Sequence, residues 1–236
     1  LDNPSHHDPN LSKFTRTSDV ALCFESLGGG GKDSATFAWG FGCEFGFFQR
    51  HVGVEPLGLL RWAGIAPEDL IRGLDSDFSG IDDPAHLNLV ERQGPDWAFL
   101  QTSYKIRFDH SGLNRHEVPI AEAKERICLN LRWLRKKFLE DLAEGEKIFV
   151  YRTFDYVVSS ETVRQMAGSL GRHGPGKLLY VCLADEHNPV FSVKQILPNL
   201  LIGYIDAFAP QNHKIIYNTN GWNAVCREAL KVAAAA

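Results

Sequence analysis

The strongest constraint on the fold lies in the C-terminal half. Three short apolar runs, 147–152 (KIFVYR), 178–183 (LLYVCL) and 201–208 (LIGYIDAF), alternate there with helical patterns at 160–170 and from about 220 to 232. Runs this short, without polar alternation, suit strands buried on both faces, and such strands need helices on either side. The pattern predicts an α/β fold: a three-layer sandwich with a mainly parallel sheet, Rossmann-like in its C-terminal half. Ser159 and Ser160 are candidates to cap the helix that opens near 160. No shift in composition marks a linker, so residues 19–236 read as one α/β domain. Residues 1–18 are polar, contain Pro4 and Pro9, and read as an extended arm.

The N-terminal half is more irregular. Residues 20–24 (VALCF) predict a strand that runs through Glu25-Ser26-Leu27 into glycines 28–31 and a loop to about 42. Cys43 then opens a helix ending near Gly53, and Pro56 opens a second one (PLGLLRWAG) ending at Gly64. Residues 67–74 predict a short helix with proline in its first turn. Residues 97–108 have the aromatic and β-branched content of a strand or hairpin. The clearest helix spans 120–143, where Ile127, Leu131, Leu134, Phe138 and Leu142 share one face. Arg126, Arg132, Arg135, Lys136 and Lys137 crowd the remainder, as on a solvated face.

Composition excludes some functions. Lys and Arg number 25 against 29 Asp and Glu, a formal charge of -4, which speaks against nucleic-acid binding. No apolar run approaches the ~20 residues of a membrane helix. The five cysteines are scattered, lack any C-x-x-C pair and are odd in number, which reads as a reducing, cytoplasmic setting. No Cys/His grouping has metal-site spacing, so no metal or other cofactor is expected. The chain opens at Leu1 rather than methionine, which permits a larger polypeptide. Its oligomeric state is not legible.

Chemistry is expected at the carboxyl ends of the strands. On these strand assignments Glu25 and Ser26, Arg152 and Asp155, Asp109 and His110, and Asp185, Glu186 and His187 all fall there. Cys43 follows Gly42 at a predicted helix head, where unpaired N–H groups and the helix dipole favour a thiolate. A thiolate nucleophile needs an oriented base. His110 is the best candidate, and Asp185 a carboxylate to orient it. Arg152 is expected to hold an anionic part of the substrate, with Glu25 and Ser26 nearby. Glycines 28–31 followed by Lys32 do not complete a phosphate-loop motif, because Asp33 follows the lysine and Ser26 stands where the first glycine belongs.

Glu25-Ser26-Leu27-Gly28 and the block GCEFGFFQRHVGVEPLGLLRWAG resemble a bacterial family of unknown function that is classed with papain-like cysteine peptidases. The further points of likeness are Asp109-His110-Ser111, a helix from Lys124 to Arg135, and Phe149 to Arg152. The similarity spans roughly residues 21–152, with residues 29–42 as an insertion. It implies Cys43 as nucleophile and His110 as base. Members often accompany polysaccharide and glycosyltransferase genes, which implies a glycan-related substrate.

Three functions follow as expectations. The first is a cysteine-dependent hydrolase or acyl transferase using Cys43, His110 and Asp185 on a small-molecule, peptide or glycan substrate. The second is a glycan- or nucleotide-sugar-handling protein in which Cys43 is structural and Arg152, Asp185, Trp39 and Trp62 bind the ligand. The third is a non-enzymatic module of a larger chain.

Overall fold

A computed structural model describes residues 16–30, 43–91, 94–153, 156–209 and 218–235. Among the described residues the first elements are helix α1 (Thr17–Leu22), strand β1 (Phe24–Gly30), helix α2 (Glu44–His51), a two-residue strand β2 (Ala63–Gly64) and helix α3 (Pro67–Asp75). Strands β3 (Leu87–Val90), β4 (Ala98–Gln101) and β5 (Ile106–Phe108) follow. The long helix α4 (Ile120–Glu144) leads to β6 (Ile148–Thr153), α5 (Ser160–Gly171) and β7 (Lys177–Leu183). Strands β8 (Val193–Leu197) and β9 (Leu200–Ile205) and helix α6 (Thr219–Ala234) complete it.

Among the described residues the strands form one nine-stranded mixed sheet in the order β3-β4-β5-β2-β1-β6-β7-β9-β8. Its centre, from β2 through β1, β6 and β7 to β9, is parallel. The flanking strands β3, β4, β5 and β8 are antiparallel. The fold is therefore α/β as expected, with antiparallel borders that the apolar runs did not announce.

The central strands show why those runs were so apolar. Along β6, Ile148 and Val150 belong to one buried cluster while Phe149 and Tyr151 belong to another. Successive side chains point to opposite faces of a strand, so a strand covered on both faces must be apolar throughout. The cluster holding Phe149 takes Leu70 and Leu74 from α3, Ile127 and Leu131 from α4, and Val163 and Met166 from α5. The cluster holding Ile148 takes Val20 from α1, Phe45 and Phe48 from α2, and Trp222 and Cys226 from α6.

Several expectations change. Val20 and Ala21 lie in α1, not in a strand, and the Arg16 N–H donates to Asp19 Oδ2 (3.2 Å) at that helix's head. A five-residue apolar run satisfies a turn of helix as well as a strand. β1 starts later, at Phe24, so Glu25 and Ser26 are its second and third residues rather than its sequel. Residues 56–62 form a loop that ends in a turn at 59–62 instead of a helix. There the buried Arg61 donates through Nη1 to the Pro56 carbonyl (3.1 Å) and through Nη2 to those of Gly46 (3.0 Å) and Val54 (3.3 Å). Of the arm expected over 1–18, residues 1–15 lie outside the described residues, and Thr17 and Ser18 begin α1. Trp39, Gly42 and Asp155 also lie outside them.

Candidate functional site

The parallel centre reverses its direction of winding between β1 and β6. From β1 the chain passes through α2 to β2 on one side; from β6 it passes through α5 to β7 on the other. α2 packs in one buried cluster and α5 in the opposite one. Connections that leave neighbouring strands in opposite directions open a crevice at their carboxyl ends.

Gly29 and Gly30 end β1 in register with Arg152 and Thr153 of β6. The turn into this end is set by Gly28, whose φ is +76°; a Cβ there would stand 2.5 Å from the Ala63 carbonyl oxygen of β2. The Gly28 N–H donates to Ser26 Oγ (3.2 Å), so the buried Ser26 supports the strand's irregularity from inside.

Cys43 immediately precedes α2, as expected, and gives that helix no side-chain cap. Its sulfur is sealed: Cys43 is 4% exposed. Burial pushes the thiol up to about 12, Asp109 adds to the shift, and Arg152 and Arg61 offset part of it. At neutral pH the sulfur is therefore held as the neutral thiol. Helix-head placement favours a thiolate, but here desolvation outweighs it.

The first residue of α2, Glu44, is buried at this strand end and is no part of the expected site. Its Oε1 accepts from Trp222 Nε1 (3.0 Å), the Ala209 N–H (3.1 Å) and the Asn218 N–H (3.3 Å). Its Oε2 pairs with Arg152 Nη2 at 3.0 Å. Arg152 is 2% exposed and lies 4.6 Å over the Phe208 ring. The arginine is thus at the predicted end of β6, where its guanidinium is in a buried ion pair with Glu44. The signal for Glu44 was present: one acid inside the apolar stretch CEFGFF, on a helix face that must be buried.

His110 and Asp185 do not join Cys43. β5 runs antiparallel to β2 with Phe108 opposite Ala63, so the chain leaves β5 near the level of Gly28. Phe108 and His110 line a cleft of about 80 Å³ with Leu59, Trp62, Ile127 and Leu131, on the α4 face of the sheet. Cys43 heads α2, which packs on the other face. Asp109 points to the Cys43 side, where it also pairs with Arg107 (2.8 Å). The His110 side chain is 67% exposed, and its nearest carboxylate is Asp96, 3.8 Å away. Asp185 follows β7 and folds into a turn of its own. It accepts from Asn188 Nδ2 (2.9 Å) and the His187 N–H (2.8 Å), which hold its carboxyl below the ordinary range.

Glu25 is displaced to the opposite end of the sheet. It stands at the start of β1 beside Phe149 and pairs with Lys147 (3.0 Å). Of the predicted set, the structure therefore brings together Cys43 and Arg152, with Ser26 beneath the same strand end. His110, Asp185 and Glu25 stand apart. No cluster of metal-ligating side chains occurs among the described residues.

No helix among the described residues is long and apolar enough to cross a membrane. Comparison with known proteins found no matching family model, no matching curated protein and no matching solved structure.

Proposed function

We propose that the domain binds a phosphate-bearing sugar ligand, of the nucleotide-sugar class, in the crevice between β1 and β6, with Cys43 as a structural residue. The observation that carries this reading is the reversal of winding at a glycine-rich strand end beside the α2 head. Helix heads present N–H groups and a positive dipole end to anions, and glycines let a ligand approach the backbone closely. Glu44 would repel an anion, but Arg152 neutralises it. The resemblance to a family found beside polysaccharide genes supports the sugar part of the ligand. The two buried clusters support a three-layer arrangement, Rossmann-like in its C-terminal half. The five free thiols fit a reducing, cytoplasmic setting.

The cysteine-hydrolase reading has less support. Burial pushes the Cys43 thiol up to about 12, which disfavours the thiolate, and no imidazole among the described residues acts on it. The decisive experiment is a thermal-shift screen with nucleoside diphosphate sugars and free glycans, run on the wild type and on Cys43→Ala. At least one sugar nucleotide should raise Tm in both proteins, and iodoacetamide should label native Cys43 no faster than Cys226. A panel with no effect on Tm, together with a hydrolytic activity abolished by Cys43→Ala, would overturn the proposal.

A further inference from the structure

At the amino ends of the same two strands lies a polar cluster that the crevice does not use. Glu25, 2% exposed, points to the α4 face of the sheet. Its Oε2 accepts from Lys147 Nζ (3.0 Å), and Lys147 Nζ also reaches Asp141 Oδ2 (2.8 Å). Lys137, one helical turn before Asp141, pairs with the same aspartate. The Glu25 and Asp141 carboxyls are within hydrogen-bonding reach of each other. Glu25 Oε1 is buried and has no donor among the described residues. It abuts Gly58, where a Cβ would stand 3.1 Å from it. Gly58, Leu59 and Trp62 of that loop are also one wall of the cleft under α4.

Two carboxyls within hydrogen-bonding reach can share one proton, the neutral one donating to the other. We propose that Glu25, Asp141 and Lys147 form a proton-operated latch: protonated Glu25 donates to Asp141 with the 56–62 loop closed over it, and loss of that proton loosens the loop and reshapes the cleft. The charged groups facing Glu25 are Lys147 ahead of β6 and Asp141 on α4, with Lys137 behind it. The loop brings the Gly58 backbone against Glu25, and β6 places Phe149 beside it. Once ionised, Glu25 has one oxygen on Lys147 and the other sealed without a donor, a state that requires water. The thin cover at Gly58 is where water enters. Burial, reinforced by Asp141 and opposed by Lys147, pushes Glu25 up to about 7, so the latch works near neutral pH.

The test is amide hydrogen exchange on the intact chain from about pH 5.5 to about pH 8.5, corrected for intrinsic rates. Protection of residues 56–62 should fall about tenfold across this range, with a midpoint near 7. Glu25→Gln, neutral and of the same shape, should hold the loop protected at every pH. Asp141→Asn removes the acceptor's charge and should move the midpoint to lower pH, which a purely structural role would not do. A carboxyl carbon NMR titration of Glu25 in the wild type reads the same proton without any substitution. Flat wild-type protection, a profile that persists in Glu25→Gln, or a Glu25 midpoint in the ordinary carboxylate range would each overturn the latch.

Discussion

Glu25 makes the folded state prefer acid. Its carboxyl rises from 4.5 to about 7 on burial, with Asp141 adding to the shift and Lys147 opposing it. A group that holds its proton more tightly when folded contributes fully below its unfolded pKa and loses that contribution as pH rises through the folded one. Asp141 is held low, chiefly by Lys137 and Lys147 working against burial, so its contribution is lost only as pH falls. The opposed windows separate the two residues. Urea unfolding of wild type and Glu25→Gln should give curves that diverge as pH rises from about 4.5 to 8, the wild type losing up to about 3 kcal/mol relative to the variant. Parallel curves would show that Glu25 ionises normally. None of this was legible in the sequence, where Glu25 stood after an apolar pentapeptide and read as a strand-end ligand. Its burial depends on Phe24 starting the strand and on α4 and the 56–62 loop closing over it, contacts that no local pattern encodes. Cys43 carries the same lesson. Its place at a helix head was legible, but its burial was not, and the burial decides its chemistry.

Elements whose signal is long or doubly apolar were read correctly. β6 is buried at every position and α4 carries a sustained apolar face, so local pattern and tertiary environment agree. The elements missed are short or half-exposed. β8 (VKQIL) and β3 (LNLV) are sheet borders with one ladder partner each, and their mixed burial leaves no continuous run to detect. β2 has only two residues and is held in the sheet by its neighbours. Its link to β1 depends on Gly28, which brings the backbones so close that a Cβ would overlap the Ala63 carbonyl, at a φ that side chains avoid. Gly28→Ala should therefore cost about 2–4 kcal/mol, from backbone strain and the forced separation of β1 and β2. Urea denaturation measures the loss. A cost under about 0.5 kcal/mol would mean that β2 is not docked as described.

At the scale of the whole molecule, one buried ion pair joins parts of the chain far apart in sequence. Glu44 heads the helix after β1, Arg152 is the last residue but one of β6, and the same carboxylate holds Trp222 of α6 and the backbone at Ala209 and Asn218. The crevice is thus framed by contacts between the N-terminal third and the last helix, across strands that sequence distance keeps apart. Breaking such a pair on one side leaves the other charge stranded in a site from which water is excluded, at about 3–5 kcal/mol, whereas replacing both members is far milder. Glu44→Gln keeps the shape and one acceptor oxygen for Trp222 but strands Arg152. Arg152→Met keeps the apolar stem over Phe208 but strands Glu44, which retains its N–H donors and so should suffer less. The double variant should recover at least 2 kcal/mol relative to the sum of the singles, and guanidinium unfolding of the four proteins gives that interaction directly. Additive losses would mean that the charges act separately, each satisfied by other groups. The crevice would then be framed by the aromatic packing of Phe45, Phe208 and Trp222 alone, with the helix after β1 and the last helix held together without their shared charge.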